Sequence, residues 1–335
     1  MTILITGGAG YIGSHMALRL ADENKKAVVV DDLSTGRRRL VPDDMVFIEG
    51  DCGDRTLLDR IFTSHGVEAV MHFAGSIVLP ESIARPLEYY ENNTSKSRTL
   101  IEACIRHGIR NFIFSSTAAV YNQGADIPLG ENAPLHPLSP YGTSKLMTEW
   151  ILRDAAAAHD LNYVILRYFN IAGADPEGRS GQPSKEATHL IKVACQSALG
   201  QRPEFTIFGS DYPTADGTCI RDYIHVSDLI DAHSLALDYL RGGGESRVYN
   251  CGYGKGASVL DVLATLQKVT GQPLPFKYGP RRPGDVPELI ADSTRIHQEL
   301  GWTPRYDDLE FIIRTALDWE RSLGAKSQTI SSAGN

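Results

Sequence analysis

The sequence predicts an α/β protein: a doubly wound, mostly parallel sheet followed by a smaller C-terminal α/β lobe. Three observations carry this. Short apolar runs alternate with amphipathic stretches through the first half of the 335 residues, the pattern of parallel strands joined by crossover helices. Those runs are rich in β-branched and aromatic residues and lack strict polar alternation, as strands covered on both faces must. After about Gly173 the texture changes, and 174–183 is a loop by its Gly, Pro and Asp content.

Taken in order, strands are expected at 3–6, 27–30, 46–49, 69–73, 112–115 and 163–166. Helices are expected near 12–22, 55–64, 87–107 and 141–159, between or after those strands. Beyond the loop, helices are expected near 187–199 and 259–270, with Gly and Pro clustered over 271–287. The chain is therefore divided into a first domain, 1–174, and a smaller lobe, 175–324, with segments returning to the main sheet. Small polar residues from Ala325 predict a frayed tail, 325–335.

Composition narrows the function. The net charge of −8 lacks the basic excess of a nucleic-acid surface. Arg37, Arg38 and Arg39 form the only cationic run and read as a solvated loop. Five scattered cysteines (Cys52, Cys104, Cys195, Cys219 and Cys251) include no Cys-x-x-Cys, so neither a disulfide framework nor a metal site is expected. Residues 3–5 run into glycines as a strand rather than a leader, and no run reaches the ~18 apolar residues of a membrane span. A cytoplasmic protein is expected.

Thr6-Gly7-Gly8-Ala9-Gly10-Tyr11-Ile12-Gly13 follows the first strand and opens the first helix. In that context Gly7, Gly10 and Gly13 build a seat for the pyrophosphate of a dinucleotide. The helix N-terminus offers free N–H groups and partial positive charge to the phosphates. The first domain is thus read as Rossmann-type. Asp31 ends the second strand and is followed by Asp32; a carboxylate there accepts from ribose hydroxyls and repels a 2′-phosphate, favouring NAD over NADP. Asp51 and Cys52, past the third strand, are expected near the adenine. Phe73-Ala74-Gly75, past the fourth, is small enough for backbone to press against the cofactor.

Tyr141 and Lys145 stand at i and i+4, so both project from one helix face. A free phenol with a pKa near ~10 is a poor base at neutral pH. The ammonium of Lys145, with the positive nicotinamide, is expected to lower that value. Ser115-Ser116-Thr117 ends the fifth strand, where a hydroxyl can bridge the phenol and a substrate oxygen. Thr117 is the candidate of the three.

With His72-Phe73-Ala74-Gly75, Leu166-Arg167-Tyr168-Phe169-Asn170, Asp211-Tyr212-Pro213-Thr214 and Arg221-Asp222-Tyr223-Ile224-His225-Val226, these motifs resemble the extended short-chain dehydrogenase/reductase family from residue 1 to about 320. The resemblance implies inversion at C4 of a UDP-hexose, interconverting UDP-glucose and UDP-galactose through a 4-keto sugar. Tyr141 would be the base, Lys145 the holder of the nicotinamide ribose, and Thr117 the relay. It adds Tyr11, Ile12, Asn92 and Phe169 to the cofactor site. On the UDP-sugar side it implies Asn170, His189, Leu190, Phe208, Arg221, Arg282, Asp285 and Leu289, with the arginines suited to a diphosphate. It also implies a homodimer through the helices near 87–107 and 141–159.

Three positions depart from the family pattern. Ile77 replaces a common lysine, His189 a common asparagine, and Leu289 lies where side-chain size decides whether N-acetylated sugars fit. UDP-N-acetylhexosamine, or another nucleotide sugar, is the alternative substrate. A dehydratase or decarboxylase is disfavoured, because Ala118-Ala119 after Thr117 offers neither acid nor base. A non-enzymatic NAD sensor would not need Tyr141 and Lys145 in register.

Overall fold

Val28, Val29 and Val30 are all buried, so both faces of their strand meet apolar cover. Such a strand belongs inside a sheet sandwiched between helices. The computed structural model describes residues 2–122, 126–184, 188–282 and 284–332, with side chains as far as 324. The expected strands form as β1 (Thr2–Thr6), β2 (Lys26–Asp31), β3 (Val46–Glu49), β4 (Val67–His72), β5 (Asn111–Thr117) and β6 (Asn162–Tyr168). A strand from the C-terminal half, Arg247–Cys251, completes a seven-stranded sheet in the order Arg247–Cys251, β6, β5, β4, β1, β2, β3. Every pairing in it is parallel.

The side-chain period of two divides this sheet between two cores. Ile3 and Ile5 face one layer with Met16, Ala17 and Leu20 of α1 (Tyr11–Asp22) and Leu229 and Leu237 of the helix Val226–Arg241. Leu4 faces the other, with Leu58 and Ile61 of α2 (Arg55–His65), Leu100 and Cys104 of Lys96–Arg106, and Leu152 of Pro140–Ala158. A third core holds the lobe together: Ile191 and Cys195, Val262 and Leu266, and Ile313 and Leu317 come from three helices and meet Phe205 and Ile207.

Short strands frame the lobe's opening. Phe205–Phe208 pairs with Phe276–Gly279, and Asn170–Ala172 pairs with Tyr223–His225. Ile220–Arg221 lies between Ala257–Ser258 and Glu288–Leu289.

Two expectations about elements need correction. The stretch 87–107 is not one regular helix: Pro86–Tyr89 passes through a π-helical segment, Tyr90–Ser95, into Lys96–Arg106. Asn92 and Asn93 are weak helix formers, and both side chains are engaged outside the helix, as described below. The helix expected at 187–199 begins at Leu190, and 185–187 lie outside the described residues. The Gly- and Pro-rich stretch 271–287 contains the strand Phe276–Gly279. The last helix, Leu309–Ser332, runs into the 325–335 stretch.

Strand order reverses between β1 and β4, which is where an open α/β sheet leaves a crevice at its carboxyl ends. The glycine-rich turn leaves β1 there, Phe73 leaves β4, and Thr117 ends β5.

Candidate active site

Gly7 takes a left-handed backbone (φ 70°), and a Cβ on it would stand 2.6 Å from the Ala74 backbone nitrogen. Any side chain would drive β1 and β4 apart. Gly13 closes the turn from the other side, since a Cβ there would lie 2.3 Å from the Gly7 carbonyl oxygen. Gly10 is the N-cap of α1 and makes no side-chain cap, and the first turn of α1 carries no acidic residue. α2, by contrast, begins with Asp54 accepting from the Thr56 and Leu57 N–H groups. The α1 terminus therefore keeps N–H groups and positive potential for an anion. These residues fit a dinucleotide pyrophosphate.

Asp31 closes β2 against this turn. Its Oδ2 accepts from Ala9 N at 2.9 Å and its Oδ1 from Leu33 N at 2.9 Å. Burial pushes its carboxyl up, and the two N–H groups pull it back. Each oxygen retains a lone pair for a ribose hydroxyl. Asp32 turns outward, where its Oδ1 accepts from Ser34 N and Ser34 Oγ; the structure does not bring it to the turn. Asp51 accepts from Gly53 N and pairs with Lys96 at 2.7 Å. The Cys52 thiol is buried and its pKa is pushed up to about 12.

At the mouth of β5, three neighbouring residues meet one helix. Ser139 caps that helix by accepting from Gly142 N, with Pro140 in its first turn. The Tyr141 phenol faces the Thr117 side chain, whose hydroxyl favours its charged form. Lys145 Nζ, 3% exposed, donates to Ser115 O at 3.0 Å and lies 4.9 Å from the centre of the Phe114 ring. Gly75 lets the loop after β4 pass beside that ammonium, since a Cβ on it would lie 3.4 Å from Nζ.

The expected lowering of the tyrosine pKa is not what the structure gives. Burial pushes the Tyr141 phenol up, and only the Thr117 hydroxyl opposes it. Lys145 itself is pulled down to about 8 by desolvation. Burial disfavours both charged forms, and the lysine is held to the Ser115 carbonyl.

The lobe's residues fall into two linked groups. Tyr11, Asn170, His189 and Leu190 line one cavity, in which Tyr11 Oη donates to Gly173 O at 2.6 Å and Gln182 Nε2 lies 2.7 Å from His189 Nδ1. In the second group the Arg282 guanidinium lies 4.0 Å from the Phe208 ring centre, a cation–π contact, and Arg221 lies 3.6 Å from Asp285. Arg221 also donates to Ile220 O and Val286 O. Leu289 is in register with Arg221 and packs against the apolar cluster that includes Ala118, Leu146 and Phe169. That cluster joins the lobe to the mouth of β5. Phe169 N donates to Cys251 O, and Ile12 packs under the turn.

The pattern of the NAD dependent epimerase/dehydratase family matches residues 3–252. The chain belongs to this family. It is 59% identical to a UDP-glucose 4-epimerase of Azospirillum brasilense, over 99% of this chain and 94% of that one. A Brucella ovis UDP-glucose 4-epimerase solved in complex with NAD superposes with a TM-score of 0.92 at 42% identity, covering 95% of this chain and 97% of that one. A UDP-Glc/GlcNAc 4-epimerase of Campylobacter jejuni gives 0.84 at 46%, covering 96% and 99%.

Two residues of this NAD dependent epimerase/dehydratase member escaped sequence reasoning. Asn93, buried in the π-helical segment, accepts from Ser76 N and donates to Ser76 O and Ser144 Oγ. It thereby fastens the loop after β4 to the Tyr141 helix, while Asn92 donates to Ser76 Oγ. Two adjacent asparagines inside a helical pattern were the available signal. Asp222 is fully buried and accepts from the backbone N–H groups of Tyr253, Gly254 and Ala291, and burial still pushes it up to about 6. The Arg-Asp-Tyr motif thus pairs a residue that faces the cleft with one that ties the lobe together.

Asp31→Ala is expected to weaken NAD at least about tenfold, the worth of a charge-assisted hydrogen bond, and to narrow the preference over NADP. Calorimetric titration with each nucleotide checks this; an unchanged preference would remove Asp31 as the group that reads the ribose.

Proposed function

We propose that this chain interconverts UDP-glucose and UDP-galactose by inverting C4 of the hexose. The observation that carries the reading is the convergence of Tyr141, Thr117 and Lys145 at the end of β5, beside the Gly7 turn and Asp31. Gly7, Gly10, Gly13 and Asp31 would hold NAD, which when bound would supply a reversible hydride acceptor for the sugar C4. Similarity to NAD-complexed epimerases supports that assignment.

Tyr141 takes the proton of the sugar 4-hydroxyl and later gives it back. Thr117 relays between phenol and sugar oxygen and keeps the phenol aimed. Lys145 stands one helical turn from the phenol, placed to hold the nicotinamide ribose. Arg221 and Arg282 hold the diphosphate, with Arg282 stiffened by its stacking on Phe208. A UDP moiety anchored in the lobe leaves the hexose free to present either face to the same base. Proton and hydride both return to the sugar, so no net oxidant is consumed.

Leu289 reaches this mouth from the lobe, and a leucine there disfavours the bulk of an N-acetyl group. The Campylobacter jejuni relative carries both UDP-Glc and UDP-GlcNAc in its name, which supports UDP-N-acetylhexosamines as a second substrate class.

A homodimer is the assembly this surface favours. Leu87 is 79% exposed and Trp150 45%, with Ile83 and Met147 also open on the same side elements. Large apolar side chains left exposed on helices that pack on one another mark an interface. No described helix is long and apolar enough to cross a membrane, and the five free buried cysteines suit a reducing cytoplasm.

Purified protein is expected to convert UDP-galactose to UDP-glucose without added reductant, read by product NMR; inert protein would overturn the function. Tyr141→Phe should fold, retain NAD and lose about 10²- to 10⁴-fold in turnover. Wild-type turnover should rise with pH and level into a flat high-pH limb from about 8, where loss of the Lys145 proton offsets ionisation of the phenol that burial has raised; a profile without that bend would count against both roles. Leu289→Ser should raise turnover of UDP-N-acetylglucosamine relative to UDP-glucose, and an unchanged ratio would exclude it as the gate. Sedimentation should give a dimer for the wild type and a monomer for Leu87→Asp combined with Trp150→Asp; a monomeric wild type would remove the seam.

A further inference from the structure

One buried ion pair beside the site has no part in the mechanism above. Glu149 and Arg167 have side chains only 4% exposed and lie 2.5 Å apart. Arg167 grips Glu149 with two nitrogens, its Nε contacting both carboxylate oxygens at 3.0 and 3.2 Å. It also donates to Tyr121 Oη and Glu131 O. Two ions taken out of water at this depth need full compensation, and Ser116 Oγ supplies another donor to Glu149 at 2.5 Å.

The spacing places this pair. Tyr141, Lys145 and Glu149 stand four residues apart on one helix face. Two of them bond to the end of β5, Lys145 through Ser115 O and Glu149 through Ser116 Oγ, and the Tyr141 phenol faces the Thr117 side chain. Three successive strand residues thus meet three successive turns of one helix. Two of those contacts hold the chemical groups. The third carries no reacting atom and is anchored from β6 by Arg167.

We infer that Glu149, clamped by Arg167, is a positioning residue that fixes the register of the helix against β5 and so holds Tyr141 and Lys145 at working distance. The inference rests on the 4-epimerase reading. Lys145 also feels the Glu149 carboxylate, which favours its ammonium form. The other titratable groups around these two are His72 from β4, Cys52 after β3, Tyr121 after β5, and Tyr163 and Arg167 from β6, with Tyr141 on their own helix.

The test compares Glu149→Gln, Glu149→Asp and Ser116→Ala with wild type, using UDP-galactose across pH. Glu149→Gln keeps an oxygen for Ser116 and removes the charge. Its kcat should fall at least about tenfold, since small misplacements of reacting groups carry costs of that size, with KM within about twofold. The high-pH limb should move to lower pH, because Lys145 has lost a neighbouring anion. Glu149→Asp should restore the limb. Should Glu149→Gln fail to fold, Glu149→Met with Arg167→Met removes both charges together and should show the same displaced limb. Ser116→Ala should raise amide exchange over 141–145 in protein without substrate, a readout independent of turnover. Wild-type kcat and an unmoved limb in the charge variants, or unchanged exchange in Ser116→Ala, overturns the inference. A wild type inert toward UDP-galactose would sink the function instead, and the exchange result would still judge the positioning.

Discussion

The separation of β1 from β4 governs everything built at the top of the sheet. At their carboxyl ends the Gly7 backbone sits against Ala74, with no room for a side chain between them. The two strands belong to opposite halves of the winding, and the crevice between their loops exists because the order reverses there. Gly13 then seats α1 on the same turn. Strand spacing, helix placement and the uncapped terminus of α1 are consequences of one backbone contact.

A second constraint is electrostatic. The site gathers a phenol, an ammonium and a carboxylate–guanidinium pair into surroundings that disfavour charge. Burial pushes Tyr141 toward its protonated form and Lys145 toward its neutral one. What opposes it is local: the carbonyl of Ser115, the hydroxyl of Thr117 and the forked contact between Arg167 and Glu149. In a medium of low effective dielectric such contacts act over short range and with little screening. The end of β5 is therefore a scaffold for charge as much as for shape.

The sheet was legible because its code is local. Apolar runs such as 27–30 and a glycine-rich turn following β1 report their structure through composition and spacing alone. The chemical pair was legible for the same reason, since Tyr141 and Lys145 lie one helical turn apart. What resisted reading depended on distant partners. The π-helical turn follows from Asn93 reaching Ser76 and Ser144, and the seventh strand lies far along the chain from the six it joins. The buried charges carry no pattern until β6 is laid beside β5. The direction of the tyrosine shift also depended on burial, which no spacing rule encodes.

The wide turn at Tyr90–Ser95 makes this segment sensitive to length in a way its neighbours are not. A π turn accommodates one residue more than an α turn, and one residue is about 100° of rotation around a helix axis. Losing a single residue there would let the backbone relax to regular winding. Leu87 and the elements before it would then swing around the axis relative to Lys96–Arg106, carrying the apolar flank away from Met147 and Trp150. Substitutions in this stretch alter side chains, whereas a one-residue deletion would re-aim an entire face of the protein.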